Sequence, residues 1–406
     1  MGKESDMSVY EKKKRRIYSC LDQAMACMVT GAVVCGVTIA AAPKAHANAV
    51  ISLGNDRSFS IGFGARASYQ SHNISNARDS NSVSLDNFRL YMGAQLNKHI
   101  KATVNVERLS GNNWNLLDGI FQFEPSSAIN IWVGRMLTPS DRSNLDGPYY
   151  LNSYLYPGVV AQYPGVWSGR DDGINIWGRL AHNHFRYVAG IFRGHNRYDN
   201  ASNGGNHPLF AARAEYNFLD PEDSPAYYTA STYYGQHDIL AIALVGQYQV
   251  DGVGTAQNRG DYKAWNVDGL FEKRIGKDGK SGTYTLEGAY YQYHTDGVQD
   301  VASGWHGAAN DANVGGIQAG TAFMLDTAYL IPYTLGWGRF QPVIRYQQFK
   351  PYHYAATNNG KTTQFEAGSN YVIDGHNSVI TLDYVHYNSP STKASDGFLA
   401  GVQFQY

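Results

Sequence analysis

Cysteine is nearly missing from this 406-residue chain. Its three copies, Cys20, Cys27 and Cys35, all fall in the first 35 residues. The remainder can hold no disulfide, thiolate metal site, cysteine nucleophile or CxxCH haem attachment. Charge is sparse as well: Asp, Glu, Lys and Arg make up 17% of the chain and leave a net charge of −1. Such a balance offers no basic footprint for nucleic acid. After residue 42 no apolar run approaches the ~18 residues of a transmembrane helix. A GxSxG elbow is also missing, since "GVWSG" at 165–169 has another spacing. No EF-hand spacing occurs, and no cofactor motif is found.

What is plentiful is glycine (43) and tyrosine (31). Both suit strands and tight turns whose two faces meet different surroundings. The first 47 residues stand apart. A basic stretch, Lys12 to Arg16, precedes an apolar run over 24–42, and Ala45-His46-Ala47 fits a small-x-small cleavage site. Residues 1–47 are expected to be a cleaved signal peptide, and 48–406 the exported domain. Without the leader the chain is about four charges negative.

From Ser58 onward apolar and polar residues alternate. In "FSIGFGARASY", Phe59, Ile61, Phe63, Ala65, Ala67 and Tyr69 take one face and Gly62, Gly64, Arg66 and Ser68 the other. "DNFRLYMGAQL" and "HIKATVNVE" repeat the pattern. Period two marks strands. About sixteen such segments follow one another, from 58–70 to 396–406. Their connectors alternate between short ("NK", "PSS", "AHN", "DGHN") and long (71–82, 137–172, 194–207, 295–316, 351–362). Short turns at one rim and long loops at the other predict an all-β, antiparallel transmembrane β-barrel of about sixteen strands, placed in a bacterial outer membrane. Connector 219–237 breaks the rule, being long on the short-turn side, and its "YYTASTYYG" could add a strand.

Aromatics near strand ends, among them Tyr69, Tyr91, Trp132, Trp177, Tyr216 and Trp265, are expected to form girdles at the lipid interfaces. The chain ends on "GVQFQY". A closed barrel explains a terminal strand with Phe404 and Tyr406, since its edge pairs with the first strand. Those two aromatics also fit recognition by the barrel-insertion machinery.

The loop 137–172, between strands 5 and 6, is long, aromatic and rich in Gly and Pro, and long loops are usually functional. Leu151, Tyr154, Leu155, Tyr156, Val159 and Val160 suit an inward fold that constricts the lumen better than an exposed cap. By alternation the pore-facing cations are Arg66, Arg89, Lys101, Arg186, Arg213 and Arg345, with Arg142 and Arg170 in the loop and Arg135 at its base. Facing acids are Glu107, Glu215, Asp268, Glu287, Glu366 and Asp383. The charges either select anions or pair across strands. Pore-facing Gly62, Gly64, Gly93 and Gly401 suggest open space.

"IWVGRMLTPSDRSNL", "LFAARAEYNF", "HDILAIALVGQYQ" and "TYTLEGAYYQY" resemble the phosphate-selective porin O and P family of Gram-negative outer membranes. The loop "DRSNLDGPYY" with "YPG" is also similar to the barrel part of cytochrome–porin fusions. This resemblance implies a homotrimeric passive channel for small anions or hydrophilic solutes, with phosphate as one solute. Two other classes compete. A structural or adhesion barrel would conduct nothing. A barrel hydrolase would need a nucleophile and base, for which only His353, His386 and Ser389 lie near one another in the pattern. Metal binding has weak candidates in His182 and His184 and in Asp296, Asp300 and Asp311. Neither catalytic nor metal-binding residues are assigned.

Overall fold

In a computed structural model of the chain, the described residues are 49–74, 80–109, 113–161, 169–194, 202–276, 281–298, 318–352, 360–390 and 392–406. The expected signal peptide lies outside them. The strands are β1 (Ala49–Gly54), β2 (Arg57–Ile74), β3 (Ser80–Gln95), β4 (Ile100–Leu109), β5 (Trp114–Phe123), β6 (Asn130–Leu137), β7 (Arg170–Leu180), β8 (Phe185–Phe192) and β9 (Leu209–Asn217). They continue as β10 (Ile239–Gly254), β11 (Arg259–Ile275), β12 (Gly282–His294), β13 (Gly320–Leu330), β14 (Thr334–Leu335), β15 (Gly338–Pro351), β16 (Thr362–Asp374), β17 (Ser378–Ser389) and β18 (Thr392–Gln405). A five-residue helix, α1 (Arg142–Asp146), follows β6.

Sixteen of these strands form the wall of a closed antiparallel barrel. Each pairs with its neighbour in chain order from β2 to β18, with β13 pairing directly to β15. β14 is a two-residue ladder in the hairpin between them. The seam closes where β18 runs against β2, from Ser395↔Ile74 to Gln405↔Gly64. The terminal residue completes it: Tyr406 N donates to the Phe63 carbonyl at 2.8 Å and Phe63 N to the Tyr406 carbonyl at 2.7 Å. Below that point β1 takes over the same edge of β2, from Ala49↔Ile61 to Gly54↔Arg57. Asn55 and Asp56 (φ 50° and 59°) make this hairpin, the left-handed pair a two-residue turn needs. β1 and β18 together therefore cover one edge of β2 and leave no long unpaired row of amides.

Alternation sorts the side chains as the sequence predicts. On β9, Ala211, Arg213, Glu215 and Asn217 are buried inside, while Phe210, Ala212, Ala214 and Tyr216 face out. The outer wall shows Ile242, Leu244, Ile174, Ile344 and Phe121, all large and exposed. An apolar wall of this extent, on a barrel with no free edge, is solvated by a bilayer rather than by water. The aromatic girdle expected from the sequence holds in part. Tyr69, Tyr216 and Trp265 face outward and are about 40% exposed. Trp132 and Trp177 do not; both point inward and are buried. Tyr91 also lies on the inner face, with its hydroxyl on Gln405 at 3.2 Å.

Introducing a charge on the outer wall tests this assignment. Leu244→Arg should destabilise the folded barrel in lipid vesicles by about 2–4 kcal/mol, read from denaturant unfolding. A neutral result would mean the outer wall faces water.

Candidate functional site

The lumen is filled from both rims. From the long-loop rim, the described part of the β6–β7 loop, 138–161, crosses the interior and binds inward-facing side chains around the wall. Arg213 donates to the Ser140 carbonyl (3.2 Å), Gln247 to the Pro139 carbonyl (2.8 Å), and Tyr291 to Asp141 (2.6 Å). Ser143 donates to Glu287 (3.0 Å), Asn152 and Ser153 to Asp326 (3.2 and 3.1 Å), and Arg345 to the Leu155 carbonyl (2.6 Å). Gln403 on β18 donates to the Tyr149 carbonyl at 2.9 Å. A loop buried inside a barrel must have its backbone polar groups satisfied. Here the inward strand side chains meet that requirement.

From the short-turn rim, the β9–β10 connector enters the lumen as well. It is not an additional strand. Its residues 226–233 are almost wholly buried. Arg186 donates to the Tyr228 and Glu222 carbonyls, and Arg179 to those of Ala226 and Ser224. On the far side Glu272 accepts from Thr232 Oγ1 (2.6 Å) and from the amides of Tyr233 and Gly235. Trp132 packs on Trp177, Tyr227 and Tyr228, with ring centroids 5.5–5.9 Å apart. The inward tryptophans thus seat this insert.

The two inserts meet at Arg142. Its guanidinium forks onto Glu222 (2.5 and 2.9 Å) and donates to the Ala230 carbonyl at 3.0 Å. Glu215 and Asp268 lie 3.5 and 3.9 Å away. Tyr233 donates to the same Glu222 at 2.5 Å, Thr229 to the Arg142 carbonyl at 3.1 Å, and Ser231 to Asp146 at 2.7 Å. All of these groups are buried.

Eight of the nine cations singled out in the sequence are ion-paired. Arg89 pairs with Glu107 (3.0 Å), Lys101 with Glu124 (2.6 Å), and Arg170 with Asp118 (3.0 Å). Arg213 pairs with Glu215 and Asp268, Arg345 with Glu366, and Arg186 lies 3.9 Å from Glu215. Arg135 pairs with Asp172 at 2.7 Å, but in register with the outward Val133–Ile174 pair. It therefore sits on the outer face, not at the constriction, because it shares the strand parity of Val133. Arg66 is the exception. It has no ion pair among the described residues and instead donates to Asn87 (3.1 Å) and the Tyr154 carbonyl. Its guanidinium carbon lies 3.9 Å from the Tyr154 ring centroid. Tyr149 lies between Arg66 and Arg89, 5.9 and 5.1 Å from their guanidinium carbons. Such contacts hold a cation in place without cancelling its charge.

Two of the four glycines read as open space, Gly64 and Gly401, make room for the loop instead, and Gly93 faces Ser60 of the wall. A Cβ on Gly64 would stand 2.9 Å from the Tyr149 ring, and one on Gly401 2.5 Å from Tyr154. The acids also outnumber the bases inside. Among the described residues, thirteen carboxylates and seven arginines are buried. The other sequence candidates are not brought together. His386 faces Asp396 (2.8 Å) and Ser389 meets Thr362 (3.3 Å). His184 bonds the Asn217 carbonyl at 2.7 Å, and Asp296 takes Lys263 at 2.9 Å. Asp300, Asp311 and His353 lie outside the described residues.

Known structures share this architecture. An anion-selective porin from Comamonas acidovorans aligns with a TM-score of 0.55 at 12% identity, over 86% of this chain and 100% of that one. Salmonella typhi OmpF in complex with daunomycin gives 0.57 at 13% identity, over 88% and 100%. Pseudomonas putida OprB gives 0.55 at 10% identity, over 86% and 93%. At these identities the likeness is one of fold. No family model matches the sequence, and no curated protein matches it.

The residues that sequence reasoning missed are Glu222, Tyr227, Thr232 and Tyr233 on the connector, and Tyr149 in the loop. Their one visible signal was a long, aromatic connector on the short-turn side.

Glu222→Ala strands the Arg142 charge and should cost about 3 kcal/mol, seen as a lower midpoint for heat-induced unfolding in detergent. A change within experimental error would show that Glu215 and Asp268 suffice for Arg142. A second prediction concerns His376, in the turn between β16 and β17. Its Nε2 bonds the Thr232 carbonyl at 2.9 Å, and its ring lies 4.8 Å from those of Tyr150 and Tyr234. Burial pulls its pKa down to about 4, against the raising effect of the carbonyls it bonds. A histidine lowered from about 6.5 favours the folded state fully above that pH and loses this contribution as the pH falls toward 4. Wild type should therefore lose more stability than His376→Gln between pH 6.5 and 4. Parallel pH curves would refute this.

Proposed function

We propose that the chain is an outer-membrane porin, a channel for passive diffusion of ions and small hydrophilic solutes. The observation that supports this best is a closed barrel with an apolar exterior and a charged, hydrogen-bonded interior crossed by a loop from one rim. Such a loop narrows a lumen, and its Leu145, Val159 and Val160 pack against apolar side chains on one part of the wall. In this reading the barrel sits in the bacterial outer membrane after removal of residues 1–47 and assembles as a homotrimer. Phe404 and Tyr406 form the end presented for insertion.

A preference for anions, phosphate included, is the finer form of the reading. Arg66 supports it, as a lumenal cation held by aromatic rings and carbonyls rather than by an acid. The excess of buried carboxylates opposes it. A second reading, a structural barrel without conductance, is favoured by how much of the lumen the two inserts occupy. The resemblance of an anion-selective neighbour is in fold and adds no selectivity.

The test is the reversal potential of purified protein in a planar bilayer under a KCl gradient, with and without phosphate. An anion preference that falls by about twofold or more in Arg66→Gln, with block by phosphate, is the expected result. A weak or cation preference that Arg66→Gln leaves unchanged would keep the channel and remove the anion reading. Absence of conductance would support the structural barrel.

A further inference from the structure

The inner wall is not covered evenly. Inward side chains on β7 to β12 lie under the inserts: Asn175 is 1% exposed, Asp268 2% and Thr285 0%. Each touches an insert or a residue that holds one. Asn175 donates to Tyr227 at 3.0 Å, Asp268 accepts from the Arg142 amide at 3.3 Å, and Thr285 donates to the Glu272 that anchors Tyr233. The wall built by β2 to β5 differs. Toward the short-turn rim, Tyr91, Lys101, Thr103, Asn105 and Gln122 stay partly exposed. Toward the long-loop rim, Gln70, Ser84 and Asp86 do so too. Between these stretches, accessibility falls where Arg66, Asn87, Arg89 and Glu107 meet Tyr149 and Tyr154.

We propose that the β9–β10 connector is a second constriction element. It closes the β7–β12 side of the lumen from the short-turn rim and confines passage to an eccentric path along β2 to β5. This deepens the channel reading above and rests on it. The connector is suited to the role. It is clamped to the wall at Arg179 and Arg186 on one side and Glu272 on the other, and to the loop through Arg142 and Glu222. It also buries apolar surface against the wall, Ala226 and Tyr227 with Trp132, Trp177 and Val188, and Ala230 and Tyr233 with Ile239, Ala241 and Leu270, and so excludes solute from that side. The path left open is floored by partly exposed polar side chains and narrows at the level of Arg66.

The test combines single-channel conductance with labelling by a charged, membrane-impermeant thiol reagent, read by mass, in a background with Cys20, Cys27 and Cys35 changed to serine. Thr103→Cys should label rapidly and lower the conductance, while Asn175→Cys should resist. Replacing residues 223–234 by a short Gly-Asn turn should raise the conductance at least twofold and expose Asn175→Cys. Should that replacement fail to fold, Glu222→Ala with Tyr233→Phe loosens the connector and should raise Asn175→Cys labelling in the same direction. A protein that conducts but labels Asn175→Cys as fast as Thr103→Cys overturns the proposal and leaves the channel reading intact. So does a replacement that folds and leaves conductance unchanged. A protein that neither conducts nor labels at either position overturns both.

Discussion

The structure depends on the requirement that backbone amides in a bilayer be hydrogen-bonded within the protein. The pairing of β18 with β2 meets it for the wall, down to the reciprocal bonds of Tyr406 and Phe63. Once the sheet is closed, alternation assigns each strand residue to lipid or lumen. The outer set is apolar because its solvent is. The inner set is free to be polar, and that freedom makes everything inside possible.

Inside, the same requirement returns in another form. Two backbone segments lie away from bulk water, one from each rim, and their carbonyls and amides need partners. The inward arginines, glutamines and acids of the wall supply them. Arg186, Arg213 and Arg345 each donate to a carbonyl of an insert as well as facing an acid. These cations therefore work as structural donors. Arg66 differs: it rests on the Tyr154 ring and has no ion pair among the described residues. The contact of Arg142 with Glu222 then joins one insert to the other, so that loop and connector pack as one body against the wall.

Much of the wall could be read from the chain. Period-two segments, the alternation of short and long connectors, and the terminal aromatic pointed to sixteen strands in a closed barrel. The inward side of Arg66, Arg89, Arg186, Arg213 and Arg345 followed from parity alone. The position of Arg135 at the base of the loop pointed to the constriction, whereas the alternation of β6 puts it outward, in phase with Val133 and beside Asp172. Position near a strand end misplaced Trp132 and Trp177, because an inward tryptophan and an interfacial one look alike in sequence. Gly64 and Gly401 were ambiguous for a similar reason. A missing side chain signals room, and only the positions of Tyr149 and Tyr154 show what occupies it.

The sequence by itself determined the wall: which residues face lipid, which face inward, and that the sheet closes. Those are local consequences of the strand period and of the need to pair every edge. Only the tertiary structure decided what fills the lumen. Whether connector 219–237 hangs from the rim or folds inward depends on Arg179 and Arg186, paired across the β7–β8 hairpin, and on Glu272, far along the chain on β11. No local pattern records that they converge. The pairing of Arg142 with Glu222, 80 residues apart, is of the same kind. It exists because barrel closure brings the two inserts to one place, where a buried charge is stable only beside its opposite.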